Sequence, residues 1–515
     1  MSELQSLLGG LELPAATPPV APERTPAPRL KTVNRNQMIM RPVDVERLIE
    51  EDHPARAVWE FTGRLDLSSF AEPIESVEGV AGRPNWDPRL LMSVWIYALS
   101  LGVGSAREIA RRCAYDPAFQ WLTGLEIINY HTLSDFRSAH GPALTELFSQ
   151  GLGVLSAEGL VSLERVMHDG TKIRACAGAD SFRREERIRM HLEAARAQVA
   201  TAQEAKVEDP PAQRAARQRA ARERQARLEQ ALEELEKIRA SKDSAQDKDR
   251  ARVSSSDPQA RIMKQGDGGY APSYNAQIST EASHKIIVAV GVSQNGSDYG
   301  ELMPAAARLQ ENMGQKPGQI VADGGFTSRQ NIMDCAAEGI DFIGSLGEHA
   351  EQSTAQMRRR EITPEFYPEA FQYDAAQDSY LCPAGEVLRH QGEEKRPGVV
   401  KHQYRAEAGV CQRCPFRQQC CPKNDSKGRS IARAVEAAPV QLFRKKMQTE
   451  PAQAIYRQRG EVAEFPHAWI KAKIGLRQFR LRGLIKVRIE ALWACLTYNI
   501  QQWIRLRWHP QVAPA

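Results

Sequence analysis

No apolar run in this 515-residue chain reaches the ~18 to 20 residues needed to cross a bilayer. A membrane-spanning protein is therefore not expected. The opening stretch, MSELQSLLGGLELPAATPPV, lacks both the basic start and the apolar segment of a secretory signal, so a cytoplasmic setting is expected. Cysteine is sparse and odd in number, nine in all, which argues against a complete disulfide framework. Aromatic residues make up only 7%, and the net charge is a modest +5. What is present is a globular composition, 42% hydrophobic and 26% charged. The length exceeds one hydrophobic core and predicts two to four domains. The charge is unevenly spread. From Ile455 to His509, 11 Lys or Arg stand against 3 Glu, an excess that suits a polyanionic partner or a solvated basic helix.

Residues 1–34 are rich in Pro, Ala and Thr and are expected to be disordered, having too little apolar surface to order themselves. Residues 35–160 read as a helical domain. DPRLLMSVWIYALSLG begins with a capping Asp87 and a first-turn proline, and Ser105 with Glu108 makes a capping-box pattern. Short helices joined by glycine-containing turns suggest a helix-turn-helix-like module or a plain bundle. LERVMHDGTKIRACA then reads as a strand. In residues 182–255, Ile188, Leu192, Ala195 and Val199 form one stripe and Leu228, Leu232, Leu235 and Ile238 another, which predicts an inserted antiparallel helical hairpin.

Strands resume at SYNAQISTEA and HKIIVAVGVSQ, which read as a β-hairpin. A helix, the strand GQIVADGGF, another helix and the strand DFIGSLG follow. This order predicts a mixed α/β core. It spans 161–350 and 430–508, interrupted by a cysteine-bearing insertion at 365–425. From about 440 the pattern is helical, with Pro466 expected to bend a helix or mark its first turn.

Asp169 and Asp323 both fall at or near strand ends, where open α/β sheets gather their sites. Two such carboxylates repel unless a cation lies between them, and Mg²⁺ prefers oxygen ligands. Taken alone, each Asp-Gly pair reads more simply as a turn, with Gly170 allowing the chain to reverse. Asp298 in GSDYGEL reads as a helix cap and His168 as a structural histidine. Cys382, Cys411, Cys414 and Cys420, with Cys421 as the alternate, have the spacing of a structural Zn²⁺ site or of reduced cysteines packed in a small subdomain. Cys113, Cys176, Cys335 and Cys495 read as packing residues.

The set HDGTKIRA, YNAQ, VADGGFTS, CPAG…CQRCPFRQQCC and IKAKIGLRQFRLRGLIKVRIEALWACLTYNI resembles the DDE transposases of bacterial insertion sequences. The resemblance covers nearly the whole chain after residue 35. It implies a ribonuclease-H-like mixed sheet with flanking helices, following an all-α N-terminal domain. It implies that Asp169, Asp323 and Glu464 are catalytic and hold two Mg²⁺ or Mn²⁺ ions for DNA strand cleavage and strand transfer. In that family the Glu precedes a Lys by seven residues, as Glu464 precedes Lys471, placing both on one helical face. Glu461 is the local rival and Glu490 a distant one. FPHAW stands here where the family more often has Phe-Gly. The resemblance also implies DNA contacts from Lys471, Arg457, Arg459, Arg477, Arg480 and Arg482 with transposon ends and target DNA, and a homodimer. A nuclease of the same fold without strand transfer, or an inactive DNA-binding derivative, would share most of these features.

Overall fold

A computed structural model describes residues 35–38, 40–76, 84–204, 210–347, 349–423 and 427–509. The expected disordered tail, 1–34, lies outside the described residues. The chain divides into two units, Met1–Asp44 and Val45–Ala515, and the described part of the first contains neither helix nor strand.

Seven helices come first: α1 (Pro54–Thr62), α2 (Ser68–Ala71), α3 (Pro88–Ser100), α4 (Ala106–Arg112), α5 (Pro117–Thr123), α6 (Tyr130–Ala139) and α7 (Gly141–Ala157). Their starts follow from side chains that satisfy the free N–H groups of a first turn. Asp87 accepts from the Arg89 N–H at 2.8 Å, Asp116 from Ala118 at 3.0 Å and Asn129 from His131 at 2.9 Å. The box at Ser105 is looser, with the Glu108 N–H at 3.5 Å.

The central sheet starts with β1 (Arg165–Arg174). A two-stranded ladder of β2 (Phe182–Arg183) and β3 (Val253–Ser254) then closes the base of a hairpin formed by α8 (Glu185–Glu204) and α9 (Pro211–Ala240), with α10 (Ala245–Asp249) on the return. The helices are antiparallel, since Glu185 pairs with Arg239 and Arg196 with Glu229. Ile188, Leu192, Ala195, Leu228 and Leu235 fill the seam. Next come β4 (Arg261–Lys264), β5 (Tyr270–Glu281), β6 (Ile287–Ser293), α11 (Leu302–Met313), β7 (Gln319–Ala322), α12 (Arg329–Ala337) and β8 (Asp341–Ile343).

The strands lie in the order β6-β5-β1-β7-β8, with β4 beside the first part of β5. β5 and β6 are antiparallel to their neighbours, whereas β1, β7 and β8 are parallel. This is the ribonuclease-H-like arrangement expected from the sequence. The short strand β4 was not anticipated; a tight turn at 265–269 folds it back on β5.

After α13 (His349–Arg359), a five-stranded antiparallel sheet is built from β9 (Gln372–Asp374), β10 (Ser379–Leu381), β11 (Val387–Arg396), β12 (Val399–Arg405) and β13 (Ser430–Glu436). The short helices α14 (Ala408–Arg413) and α15 (Arg417–Cys420) carry cysteines between β12 and β13. The insertion therefore runs past the expected 425, because β13 pairs with β12 and not with the central sheet. It has its own core of Ile362, Phe366, Phe371, Leu388, Tyr404 and Ile431.

Three helices end the chain: α16 (Ala438–Met447), α17 (Glu450–Ala472) and α18 (Leu484–Leu506). Pro466 neither begins nor ends a helix. α17 continues through it, with Val462, Ala463 and Ile470 buried on either side, so packing offsets the lost backbone bond. α18 is almost wholly buried in its middle. It joins the N-terminal helices to the central sheet in one continuous core that includes Trp95, Trp493, Tyr498 and Trp503. The Trp493 indole donates to the Arg137 carbonyl at 3.2 Å. Among the described residues, no helix is long and apolar enough to cross a membrane.

Asn499 on α18 secures the outer strand. Its amide oxygen accepts from the Ile287 N–H at 2.9 Å, and its NH₂ donates to the Ile287 carbonyl at 2.8 Å, supplying the ladder bonds that an edge strand lacks. Replacement by Leu leaves both backbone groups buried and unpaired. Asn499→Leu is therefore expected to cost about 1–3 kcal/mol or more in urea unfolding; an unchanged midpoint would contradict this.

Candidate active site

Asp169 lies within β1, not in a turn, and the strand continues through Gly170 to Arg174. The expected chain reversal at Gly170 does not occur. The glycine is needed for space: a Cβ there would lie 2.4 Å from the Asp298 carboxylate and 2.7 Å from the Gln277 amide. β1 and β7 are parallel, with His168 level with Ala322, so Asp169 and Asp323 come side by side where β7 ends. Asp323 then opens a tight loop, accepting the Gly325 N–H at 2.8 Å.

Side chains alternate across β1, and each face of the strand has a different lining. On one side, His168 is buried between Ser279 and Gln277, at 2.9 Å from each, with its edge against Phe326. Burial pushes its pKa down to about 3, so it is a neutral structural residue. On the other side α17 covers the strand, packing Val462 and Ala463 against Met167 and Val321. This helix presents Glu464, His467 and Lys471 along one face. The Lys471 amine donates to the Thr171 hydroxyl, and burial pushes its pKa down.

Arg459 links the third carboxylate to the first. Its guanidinium is 3.5 Å from Asp169 and 4.0 Å from Glu464. Arg459, expected among the DNA contacts, lies beside Asp169 and Glu464. Asp169 is only 16% exposed in its side chain, whereas Glu464 is 67% exposed. The oxygens of Asp169, Asp323 and Glu464 do not all lie within 4.8 Å of one another. Such close convergence is not required of ligands shared between two ions about 3.5–4 Å apart.

The two rival glutamates lie elsewhere. Glu461 pairs with Lys285 at 2.8 Å. Glu490 is buried and accepts the N–H groups of Arg480 and Leu481 at 2.9 and 3.0 Å. It thereby holds the loop carrying Arg477, Arg480 and Arg482, all three exposed. Arg482 donates to the Cys176 carbonyl, and Arg457 is exposed and paired with Glu450.

Asp298 was read as a helix cap. Its side chain instead accepts from Asn275 at 2.6 Å, Gln277 at 2.8 Å and Lys172 at 3.1 Å. Burial alone would raise its pKa, but these donors outweigh burial and the net shift is downward. It remains ionised close to both Asp169 and the Gly325 loop. One signal could have revealed this pocket. β5 is buried along most of its length, yet Ser273, Asn275, Gln277 and Ser279 recur at every second position. A polar row on a buried strand face needs partners, and the YNAQ motif is part of that row. His467 was also passed over. It is fully buried, neither ring nitrogen is hydrogen-bonded among the described residues, and Asp169 is 4.0 Å away. Burial pushes its pKa down to about 3, so the ring is neutral and brings no compensating charge.

The cysteines of the insertion line one small cavity with Phe366, Leu388, Ala406 and Arg429. Backbone N–H groups of Glu386 and Arg429 point at the Cys382 and Cys411 sulfurs, each at 3.3 Å. Burial pushes the Cys420 thiol up to about 12, with Cys421, Cys411 and Cys382 adding to the rise. The four sulfurs are not drawn within 4.8 Å of one another. Cys113, Cys335 and Cys495 are buried in the main core, and Cys176 is half-buried.

Residues 43–139 match the model of a transposase domain (DUF772), and residues 381–504 match that of a transposase DDE domain. Both matches are to transposase families, and together they support a DDE transposase of insertion-sequence type. The second match contains the cysteines, Glu464 and Lys471, and it stops short of both aspartates. No curated protein matches the chain. Transposases act on DNA, and these domains belong to DNA-processing enzymes.

Burial and the neighbouring Asp323 and Asp298 push Asp169 up to about 6, against the pull of Arg459. The folded chain thus holds this proton more tightly than the unfolded chain does. The resulting stability is present below the ordinary value of 3.8 and is lost as pH rises through about 6. Asp169→Asn cannot ionise. In metal-free protein it is expected to raise stability by on the order of 2–3 kcal/mol near neutral pH and by little near pH 4. Urea unfolding at the two pH values checks this, and a wild type at least as stable as the variant near neutrality would contradict it.

Proposed function

We propose that this transposase cleaves and joins DNA by metal-dependent phosphoryl transfer, with Asp169, Asp323 and Glu464 as its carboxylate ligands. One observation carries the reading: two aspartates, side by side where β7 ends, adjoin a helix that presents a glutamate to the same site. The donor set fits a hard divalent cation, Mg²⁺ or Mn²⁺, because it is made of oxygens whose crowding leaves Asp169 hard to ionise. Two such ions supply positive charge to the attacking and leaving oxygens of a phosphodiester.

The protein's own groups do the rest. Arg459 offsets the charge of Asp169 and Glu464. Lys471, tied to Thr171 beneath the site, fixes α17 against β1. The exposed Arg477, Arg480 and Arg482 offer contacts to DNA phosphates, which position the substrate without reading its bases. In cleavage a water oxygen bonds to phosphorus as the P–O3′ bond breaks, which leaves a 5′-phosphate and a 3′-hydroxyl. In joining, that hydroxyl oxygen bonds to a target phosphorus, and the target's own 3′ oxygen leaves. The site acts on double-stranded transposon ends in the cytoplasm, and the need to bring two ends together favours a homodimer.

Cys382, Cys411, Cys414 and Cys420, with Cys421 as alternate, fit structural Zn²⁺. They share one cavity, and two backbone N–H groups already point at their sulfurs. Protein purified without added metal should carry about one zinc per chain, lost in a Cys411→Ser/Cys414→Ser variant. Absence of zinc from the wild type would remove this part of the reading.

Inverted repeats flanking the coding DNA provide the substrate for the main test. Each of Asp169→Asn, Asp323→Asn and Glu464→Gln should lower cleavage and joining by on the order of 10³-fold, the equivalent of several kcal/mol of lost charge stabilisation. Binding to the ends should persist. Full activity in any one of the three would end the assignment. Cleavage without joining, when cut 3′ ends and a target plasmid are supplied, would indicate a nuclease instead.

A further inference from the structure

The inserted sheet carries a second constellation, remote in sequence from the carboxylates. His390 and Glu393 lie on β11 and His402 on β12, and one ligand atom from each lies within 4.8 Å of the others. Regular alternation would put residues three apart on opposite faces of a strand. A bulge prevents this. His390 pairs with Tyr404, and the next aligned pair is Gly392 with Gln403, so Gln391 is the extra residue. Beyond it Glu393 pairs with His402. The inserted residue reverses the parity of β11 and brings His390, Glu393, His402 and Tyr404 to one face. Gly392, with φ of 151°, takes up the distortion.

The spacing suits a metal ion. His402 Nδ1 is 3.4 Å from the Glu393 carboxylate. Ligand bonds of about 2.0–2.2 Å in a tetrahedral centre set neighbouring ligands about 3.3–3.6 Å apart. The two imidazole rings are tilted to one another, with centres 5.6 Å apart. The Nε2 of His390 is buried and has no hydrogen-bond partner among the described residues. A cross-strand ion pair would need only Glu393 and His402. It gives no reason for a bulge that turns His390 to the same face, or for a ring nitrogen left without a partner.

Arg433, level with His402 on β13, is engaged elsewhere: its guanidinium lies 4.3 Å over the Tyr373 ring and donates to the Tyr404 hydroxyl. Asp378 is likewise held by the Tyr373 and Tyr404 hydroxyls, at 2.9 and 2.6 Å. These contacts fix the wall against which His390 packs, edge-on to Tyr404 at 5.4 Å.

We propose that His390, Glu393 and His402 bind a divalent transition-metal ion of the zinc class, pinning β11 to β12 across the bulge. Two imidazoles and one carboxylate select such an ion over Mg²⁺, which prefers oxygen ligands. Three protein ligands leave one coordination position to solvent. The site is half-exposed and lacks thiolates, so it should exchange its ion more readily than the cysteine site.

The test uses tag-free, metal-free full-length protein in excess Mg²⁺, titrated with Zn²⁺ and then with Co²⁺. Cobalt held by thiolates gives intense near-ultraviolet charge-transfer absorption, and cobalt held by imidazole and carboxylate does not. The Cys411→Ser/Cys414→Ser variant should still take up one Co²⁺ per chain without that absorption. Adding His390→Ala or Glu393→Gln should weaken that uptake at least tenfold. Glu393 is exposed, so Glu393→Gln guards against misfolding as the cause, with circular dichroism as the check. If either folded variant binds Co²⁺ as tightly as its parent, the site is only a cross-strand ion pair and the proposal fails.

Discussion

Like charges crowded at the end of a parallel strand pair set the terms for the rest of this molecule. β1 and β7 bring Asp169 beside Asp323, and Asp298 comes up against Gly170 from the other side. Burial makes that proximity expensive, as the elevated pKa of Asp169 records. A fold minimising its own free energy would not gather these groups. The arrangement persists because the surrounding elements impose it. The Asn275 and Gln277 amides and Lys172 hold Asp298, the Gly325 N–H holds Asp323, and Arg459 is shared by Asp169 and Glu464.

The remaining architecture supports that site. α17 lies on the sheet through Val462 and Ala463 and carries Glu464 and Lys471 to it. α18 joins the N-terminal helices, the sheet edge and the arginine-bearing loop, through Trp493, Asn499 and Glu490 respectively. The helical hairpin and the cysteine-bearing sheet each have a small core of their own, which explains how such large insertions leave the ribonuclease-H-like strand order unbroken.

Much of this was legible in the sequence because it depends on local periodicity. The hairpin stripes, the capped helices and the succession of strands and helices along the chain follow from spacing, while the ribonuclease-H-like sheet came from the resemblance. The failures have physical causes. Asp298 precedes a helix and so resembles a cap; only the polar row on β5 hinted that its partners lie across the sheet. Gly170 resembled a turn residue because a close side-chain approach leaves the same glycine signature. The pairing of Arg459 with Asp169 and Glu464 was not legible, since an exposed helix and one covering a carboxylate pair share the same charge pattern. Pro466 does not mark a first turn, because α17 begins well before it and packs on either side of it. The His390 face was hidden by a bulge that changes parity without changing composition.

The central claim is that Asp169, Asp323 and Glu464 surround one divalent-cation centre. Iron-directed backbone cleavage tests it most directly. Fe²⁺ is substituted for Mg²⁺ in the full-length protein, and ascorbate with peroxide generates hydroxyl radicals that cut only the chain near the ion. The account predicts cuts clustered at the segments around residues 169, 323 and 464, all suppressed together by excess Mg²⁺. Cuts confined to other segments, or cuts at these three that Mg²⁺ leaves untouched, would contradict it.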